Sequence, residues 1–422
     1  MANLNASVQR QGQAKGSSQA SRVAKQLICK QLRDLRSGTL TITEAGCDTL
    51  TFGDGDAGFP TTELQVHDHS FWIDLLTGGN VGAAESFVAG DWSSPDLVAL
   101  LRFFTRNIDR INQFEDRFRW VTRPALKGLR WLNRNTRAGS RKNIEAHYDL
   151  GNELFEAFLD PTMMYSSAIY PGANSTLEQA AVHKLDIICK KLDLRPGDRV
   201  IEIGTGWGGF AIHAAKHYHC HVTTTTISRK QLELARTRIL AEGLEREITL
   251  LFDDYRDLNG QFDKLVSIEM IEAVGPDFLD TYLAQIDRLL KPTGQALIQA
   301  INIPEQRYER ALNNVDFIQR YIFPGGFLPS FGAILASLRT RTNLVLTHVE
   351  DFGFHYARTL HDWCRRFVEH EQAIDALGYD KNFRKLWRLY FAYCEAGFSE
   401  RAIGVAHLML TKPANKQPSL MR

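Results

Sequence analysis

Cysteine is sparse in this chain of 422 residues. Its six thiols, Cys29, Cys47, Cys189, Cys220, Cys364 and Cys394, are widely spaced and form no Cys-x-x-Cys pair, so neither a disulfide scaffold nor a zinc ribbon is expected. Long apolar runs are missing too: no stretch approaches the ~18 uninterrupted apolar residues of a helix that crosses a bilayer. The first twenty residues lack the apolar core of a secretory signal, and the expected location is the cytoplasm. A surplus of one charge sign is also absent. Lys+Arg number 50 and Asp+Glu 49, a net charge of +1, unlike a protein that meets nucleic acid with a wholly basic surface. His213, His217, His219, Cys220 and His221 have a metal-like composition, but a helix end and the alternating faces of a strand would scatter them, and no metal is expected there.

What is present is ordinary globular composition, 44% hydrophobic and 23% charged, at a length that suggests two or three domains at about 150 residues each. Residues 1–20 are polar and read as a disordered tail. Residues 21–115 read as a small mixed α+β domain. It begins with a basic amphipathic helix carrying Val23, Leu27, Ile28, Leu32 and Leu35 at helical spacing. The segments TLTI, TLTF, ELQVHD and FWIDLL follow as short strands, and Ser93 or Ser94 before Pro95 as a helix start. Residues 116–142 form a linker. From Arg117 to Lys142 it holds nine Lys/Arg and no acid, interleaved with Trp120, Leu126, Leu129, Trp131 and Leu132. Such a run is either a solvated spacer or a segment that sits among anionic lipid headgroups.

Residues 143–415 alternate strand and helix. DRVIEIG, HVTTTTI, ITLLFDD, DKLVSIE and GQALIQAINI are the strands, and the alternation predicts an α/β domain with a doubly wound, mostly parallel sheet whose ligands lie at the carboxyl ends of the strands. The first strand runs into Gly204-Thr205-Gly206-Trp207-Gly208, a turn that lets a ligand approach the backbone. Glu202, just before it, suits an ammonium group and a nearby sulfonium charge. No acid ends the next strand to grip a ribose as a nicotinamide site would want; Thr225, Thr226 and Ser228 stand there, with Gln231 one turn on. Asp254 and Tyr255 after the third strand suit an adenine.

Seven segments in order, HYDLGNELFEAFLDPTMMYSSAIY, IEIGTGWGGF, TISRKQ, DDYRDL, FDKLVSIEMIEAVG, YIFPGGFLPS and YFAYCEAGF, resemble the cyclopropane-fatty-acyl-phospholipid synthases, relatives of the mycolic acid cyclopropane synthases. The resemblance runs from about residue 144 to the end and more faintly into the N-terminal half. It implies a class I S-adenosylmethionine-dependent methyltransferase-like fold and methyl transfer to a cis double bond of a phospholipid-bound unsaturated fatty acyl chain, closing a cyclopropane ring. It further implies that Tyr165, Ser166, Gly204, Gly206, Gly208, Thr226, Gln231, Asp254 and Tyr255, beside Glu202, contact S-adenosyl-L-methionine. The N-terminal domain and basic linker would place the enzyme peripherally on the inner face of the membrane, and a homodimer is left open.

An isolated alkene is a weak nucleophile, so such a site must hold it against the sulfonium methyl in a dry pocket, then shield a carbocation with aromatic faces and remove a proton. In the family the base is a bicarbonate ion. By resemblance its holders would be Ser167, Glu272, Gln299, the backbone of Ile301 and Tyr356, with Ser167 in place of a cysteine, Gln299 in place of a histidine and Ala273 where histidine is usual. Two readings stay open: bicarbonate is retained, or Glu272 or another group removes a different proton and leaves a methyl- or methylene-branched chain. Cys394 matches a family cysteine often designated catalytic; methyl transfer to an alkene needs no thiolate, and a packed structural thiol is expected.

Overall fold

The computed structural model describes residues 18–55, 58–59, 61–112 and 150–416; the tail to residue 17 and the basic run 117–142 lie outside them. The chain divides into two compact units. One holds the N-terminal residues together with Asp316–Ile318 and Glu371–Ala402, so the span expected as one catalytic domain, 143–415, contributes a segment to the N-terminal unit.

In that unit β1 (Thr39–Glu44), β2 (Leu50–Gly53), β3 (Thr61–Val66) and β4 (Trp92–Ser93) form a mixed sheet in the order β2-β1-β3-β4. The opening helix, Gln19–Leu32, is capped by Ser18, whose hydroxyl accepts from the Ser21 amide at 3.1 Å. Ile28 and Leu32 face the core with Leu40, Ile42, Leu64, Phe71 and Trp72, while Val23 and Leu27 are exposed. FWIDLL is helix, not strand: it opens Ser70–Ala89, whose first amide donates to Asp68 at 2.8 Å. A short apolar run has no period by which to tell a buried strand from a buried helix. The helix near Pro95 is Leu97–Arg106, capped by Asp96 rather than Ser93 or Ser94. Helix Lys381–Ser399 packs against both of these helices, and Glu400 just beyond it takes Arg102 at 2.6 Å and Arg106.

The second unit carries seven strands in the order β10-β11-β9-β8-β5-β6-β7: β5 (Arg199–Ile203), β6 (His221–Thr225), β7 (Ile248–Leu251), β8 (Phe262–Ile268), β9 (Leu290–Asn302), β10 (Val345–Asp351) and β11 (Gly404–Thr411). β7, β6, β5, β8 and β9 run parallel; β11 is antiparallel to β9 and to β10. Successive residues supply opposite faces. Ile201, Leu265, Ala296 and Ile298 enter one core, whereas Val200, Val266 and Leu297 enter the other. Burying an aliphatic side chain of this size contributes about 1.5–3 kcal/mol, so the period-two pattern anchors both faces and holds the strand ends, where the site lies.

Candidate active site

The first half of the site is the turn after β5. Glu202 pairs in register with Thr224 of β6 and Val266 of β8, and its Oε2 accepts the Thr224 hydroxyl at 2.6 Å. That hydroxyl's proton is thereby committed, so at 2.7 Å it is Thr205 that donates to Thr224. Burial pushes the Glu202 carboxyl up to about 8, against the pull of Lys184. Gly206 has φ 53, and a Cβ there would meet nothing within 4 Å. Both the conformation and the empty space require glycine if a ligand is to lie on the turn. Gly209, opening helix Gly209–Tyr218, instead has Met164 Sδ and the Thr162 carbonyl within 2.7 Å of where a Cβ would sit, so it serves packing.

Thr226 donates its hydroxyl to Gln231 Oε1 at 2.8 Å and accepts the Ser228 amide at 3.1 Å. Asp254 is turned toward Arg256, which grips it at 2.8 and 2.6 Å. Its Oδ2 takes an Arg256 donor, which leaves acceptor capacity for the adenine contact that the resemblance implies. Tyr255 packs edge-on against Tyr282, and its buried hydroxyl has no partner among the described residues. Tyr165 lies in a cluster of rings, with centroids 5.2 Å from Phe155, 5.2 Å from Trp363 and 6.3 Å from Phe323. Ser166 accepts from the buried Lys184 at 2.7 Å.

The second half lies at the ends of β8 and β9. Ser167, Gln299 and Tyr356, which the resemblance sets with Glu272 around an anion, meet here on the carboxylate of Glu269. Glu269 Oε1 accepts the Ser167 amide at 2.9 Å and the Gln299 amide nitrogen at 2.7 Å, and Oε2 accepts the Tyr356 hydroxyl at 2.7 Å. Its φ is 49, a left-handed conformation that costs a side-chain-bearing residue about 1–2 kcal/mol. Three hydrogen bonds to a charged group, each about 1.5–3 kcal/mol, exceed that. The Ser167 hydroxyl is turned away to the Ala168 carbonyl at 3.0 Å, so this residue serves through its backbone.

Glu272 sits one short turn later, in Ile271–Ala273. Its Oε1 accepts the Ile301 amide at 2.5 Å, while Oε2 is buried with no partner among the described residues. Burial, and then the charge of Glu269, hold the Glu272 carboxyl well above the usual range. Burial raises Glu269 as well, but its three donors and Lys184 oppose the rise. Glu269, with three donors, is therefore the more readily ionised member of the pair.

The orientation of Gln299 is set from behind. Lys191 donates to His407 Nδ1 at 2.9 Å, since an ammonium has no acceptor. The histidine's other nitrogen then donates to Gln299 Oε1 at 3.0 Å, which leaves the glutamine NH₂ aimed at Glu269. Burial holds His407 well below its ordinary range, so it stays the neutral donor this chain of bonds needs.

A glycine turn beside buried glutamates at the strand ends fits many methyltransferases; comparison with known proteins narrows it. Residues 135–408 match the family model "Mycolic acid cyclopropane synthetase". The chain belongs to that family. It is 39% identical over 329 residues to the tuberculostearic acid methyltransferase of Mycobacterium tuberculosis, covering 76% of each chain. To the cyclopropane-fatty-acyl-phospholipid synthase of Escherichia coli strain K12 it is 37% identical over 357 residues, 84% of this chain and 89% of that one. Two solved mycolic acid cyclopropane synthetase relatives superpose with TM-score 0.60 at 28% identity, covering 64% of this chain and 98% of theirs: a cyclopropane synthase from Mycobacterium tuberculosis and a mycolic acid cyclopropane synthase complexed with SAH and CTAB. The fold is that of class I S-adenosylmethionine-dependent methyltransferases, and the chain is a fatty acid methyltransferase.

The residues of this mycolic acid cyclopropane synthetase homologue fit S-adenosylmethionine: the open space over Gly206, the buried Glu202 and the Tyr255 hydroxyl, which has no partner among the described residues, can receive it. Bicarbonate does not fit, because the Ser167 amide, Gln299, Tyr356 and the Ile301 amide are already spent on glutamate oxygens. Lys184 was missed from sequence. It is wholly buried, drawn down to about 8 by burial, and lies within the field of Glu269, Asp160 and Glu202. The signal was there: it falls on the apolar stripe of helix Leu177–Lys191 with Ala180, Ala181 and Ile188. Cys394 is packed in helix Lys381–Ser399 of the other unit, its thiol pushed up by burial and by Asp316.

Proposed function

We propose that this enzyme methylates a cis double bond of a phospholipid-bound unsaturated fatty acyl chain and closes a cyclopropane ring. The observation that carries this reading is Tyr356, whose hydroxyl meets Glu269 while its ring stands edge-on to Trp363 at 6.0 Å, next to Tyr165. One side chain thus joins a carboxylate base to an aromatic wall. S-adenosylmethionine, when bound, supplies an electrophilic methyl group. The rings of Tyr165, Trp363 and Tyr356 face the charge that develops on the acyl chain and exclude water; Glu202 orients the cofactor's ammonium end; and the base accepts the proton lost from the new methyl group as the ring closes.

A second reading is favoured by the likeness to a relative named for methyl transfer rather than for cyclopropane formation: a hydride shift before proton loss leaves a methylene branch. Both products add CH₂. Proton NMR of lipid from vesicles of cis-unsaturated phospholipid separates them, with cyclopropane protons upfield of ordinary methylenes and vinylidene protons far downfield. The basic run 117–142 supports peripheral docking on anionic lipid. Vesicle co-sedimentation that weakens with salt is the expected result, and activity on soluble acyl chains alone would overturn it.

A further inference from the structure

We infer that Glu269 is a built-in replacement for the diffusible base, so that this enzyme turns over without bicarbonate. The inference rests on the methyl-transfer reading. It arises from three donors on three separate elements: the backbone after Ser166, the carboxyl-terminal part of β9 and helix Gly353–Glu369, which carry Ser167, Gln299 and Tyr356. Such a convergent set is an oxyanion cradle, and resemblance assigns these residues to a bound anion. Here the cradle is filled from within the chain. The carboxylate of Glu269 has two oxygens and takes up the donors with both, the geometry a planar three-oxygen anion would present to the same groups.

The backbone points the same way. Glu269 follows the last residue of β8 and takes a left-handed φ of 49 while its amide still donates to the Gln299 carbonyl at 2.8 Å. A residue without a side chain would hold this turn without strain and leave the cradle open. Glutamate adopts it and closes the cradle. Glu272 is poorly placed for the same task, since one oxygen faces the Ile301 amide and the other is buried without a partner among the described residues.

The step balances. The alkene carbon forms a bond to the methyl carbon as the bond from methyl to sulfur breaks and sulfur keeps the pair. Glu269 then takes a proton from that methyl, the released C–H pair closes the ring, and the neutral carboxylic acid returns its proton to water after product leaves. The base is thus covalently present at every turnover, at an effective concentration no dissolved anion reaches.

The test uses the full chain with S-adenosylmethionine and unsaturated phospholipid vesicles in buffer stripped of carbon dioxide. Wild type is expected to keep its rate within twofold whether or not bicarbonate is added. Glu269→Gln, nearly isosteric, is expected to lose about 10²–10⁴-fold with cofactor binding retained and no response to bicarbonate. Glu269→Gly is expected to be inactive until bicarbonate is supplied, because the three donors are then free. A wild-type enzyme that stops without bicarbonate, or a Glu269→Gln variant above a tenth of wild-type rate, overturns the inference. So does a Glu269→Gly variant that binds cofactor and is not rescued. Titration of ¹³C-bicarbonate by NMR gives a readout independent of lipid chemistry: binding to Glu269→Gly and not to wild type is expected, and the reverse overturns the cradle assignment. If wild type methylates no lipid in any buffer, the methyl-transfer reading fails while the anion titration still decides the cradle.

Discussion

Two turns leave neighbouring strands of one sheet in the same left-handed conformation and use it for opposite ends. After β5, Gly204, Gly206 and Gly208 have φ of 102, 53 and 88, and a Cβ on Gly206 would meet nothing within 4 Å. After β8, Glu269 has φ of 49 and fills its pocket with a carboxylate. A left-handed residue at a strand end is a fork in design: without a side chain it admits a ligand, and with one it can supply the ligand's chemistry itself. Strain is small at the first turn. At the second it is held by hydrogen bonds.

The comparison breaks most visibly if the empty turn is filled. Gly206→Val puts a branched side chain at φ 53 where the protein offers no obstacle. The expected outcome is a modest drop in melting temperature, since strain alone costs about 1–2 kcal/mol, but at least a hundredfold loss of S-adenosylhomocysteine affinity by calorimetry. A loss of stability with unchanged affinity would mean that the cofactor does not lie on the turn.

Weakening the filled turn should have a smaller, pH-dependent effect. Tyr356→Phe removes one donor that favours ionised Glu269, so the carboxyl, already raised by burial, rises further. A base must be ionised to act. The rate falls as pH drops through the carboxyl's pKa, and in the variant that fall begins at higher pH while the alkaline plateau is largely recovered. An unmoved acid limb would place the base elsewhere.

Glu202 sharpens the comparison from the cofactor's side. Pushed up to about 8, it is neutral in the free protein at pH 6–7, while the unfolded chain ionises it near 4.5; its burial therefore costs stability progressively as pH rises from about 4.5 to 8. An arriving ammonium group favours the ionised form. Cofactor binding should release a proton and tighten between pH 6 and 8, visible as buffer-dependent heats, and Glu202→Gln should abolish the release. The smallest effect is expected for Cys394→Ser, whose buried thiol is held in its protonated form: turnover within about twofold of wild type. Lost turnover with intact cofactor binding would make that thiol catalytic.

The cofactor half was legible because each signal was local. Strand β5 is a run of apolar residues ended by glycines, and β6 to β9 follow with helices between them. β11, buried almost throughout, and β10, an edge strand exposed along nearly its whole length, went unread because neither has the alternation that marks a half-buried strand. The base half was harder for a different reason. SIEMIEAVG contains two glutamates three residues apart, and motif resemblance selected Glu272. Glu269, the base proposed above, is the residue that follows Ile268, at the carboxyl end where ligands of parallel sheets lie. Ser167 and Tyr356 could not be assigned to it from sequence, because 102 and 87 residues separate them from Glu269.

Helix Lys381–Ser399 belongs to the N-terminal unit although the chain reaches it only after most of the α/β sheet is built. Leu386, Leu389 and Phe391 are buried there, on a helix whose partners were synthesised some three hundred residues earlier. The unit is therefore unfinished until helix Lys381–Ser399 has been made. Its two parts form a clasp closed around the sequence of the catalytic unit, which makes the N-terminal region an unsuitable place to trim and a poor candidate for a detachable module: a gene fragment starting at the second unit would encode an orphaned apolar helix, and one ending after the first would encode a core without its lid.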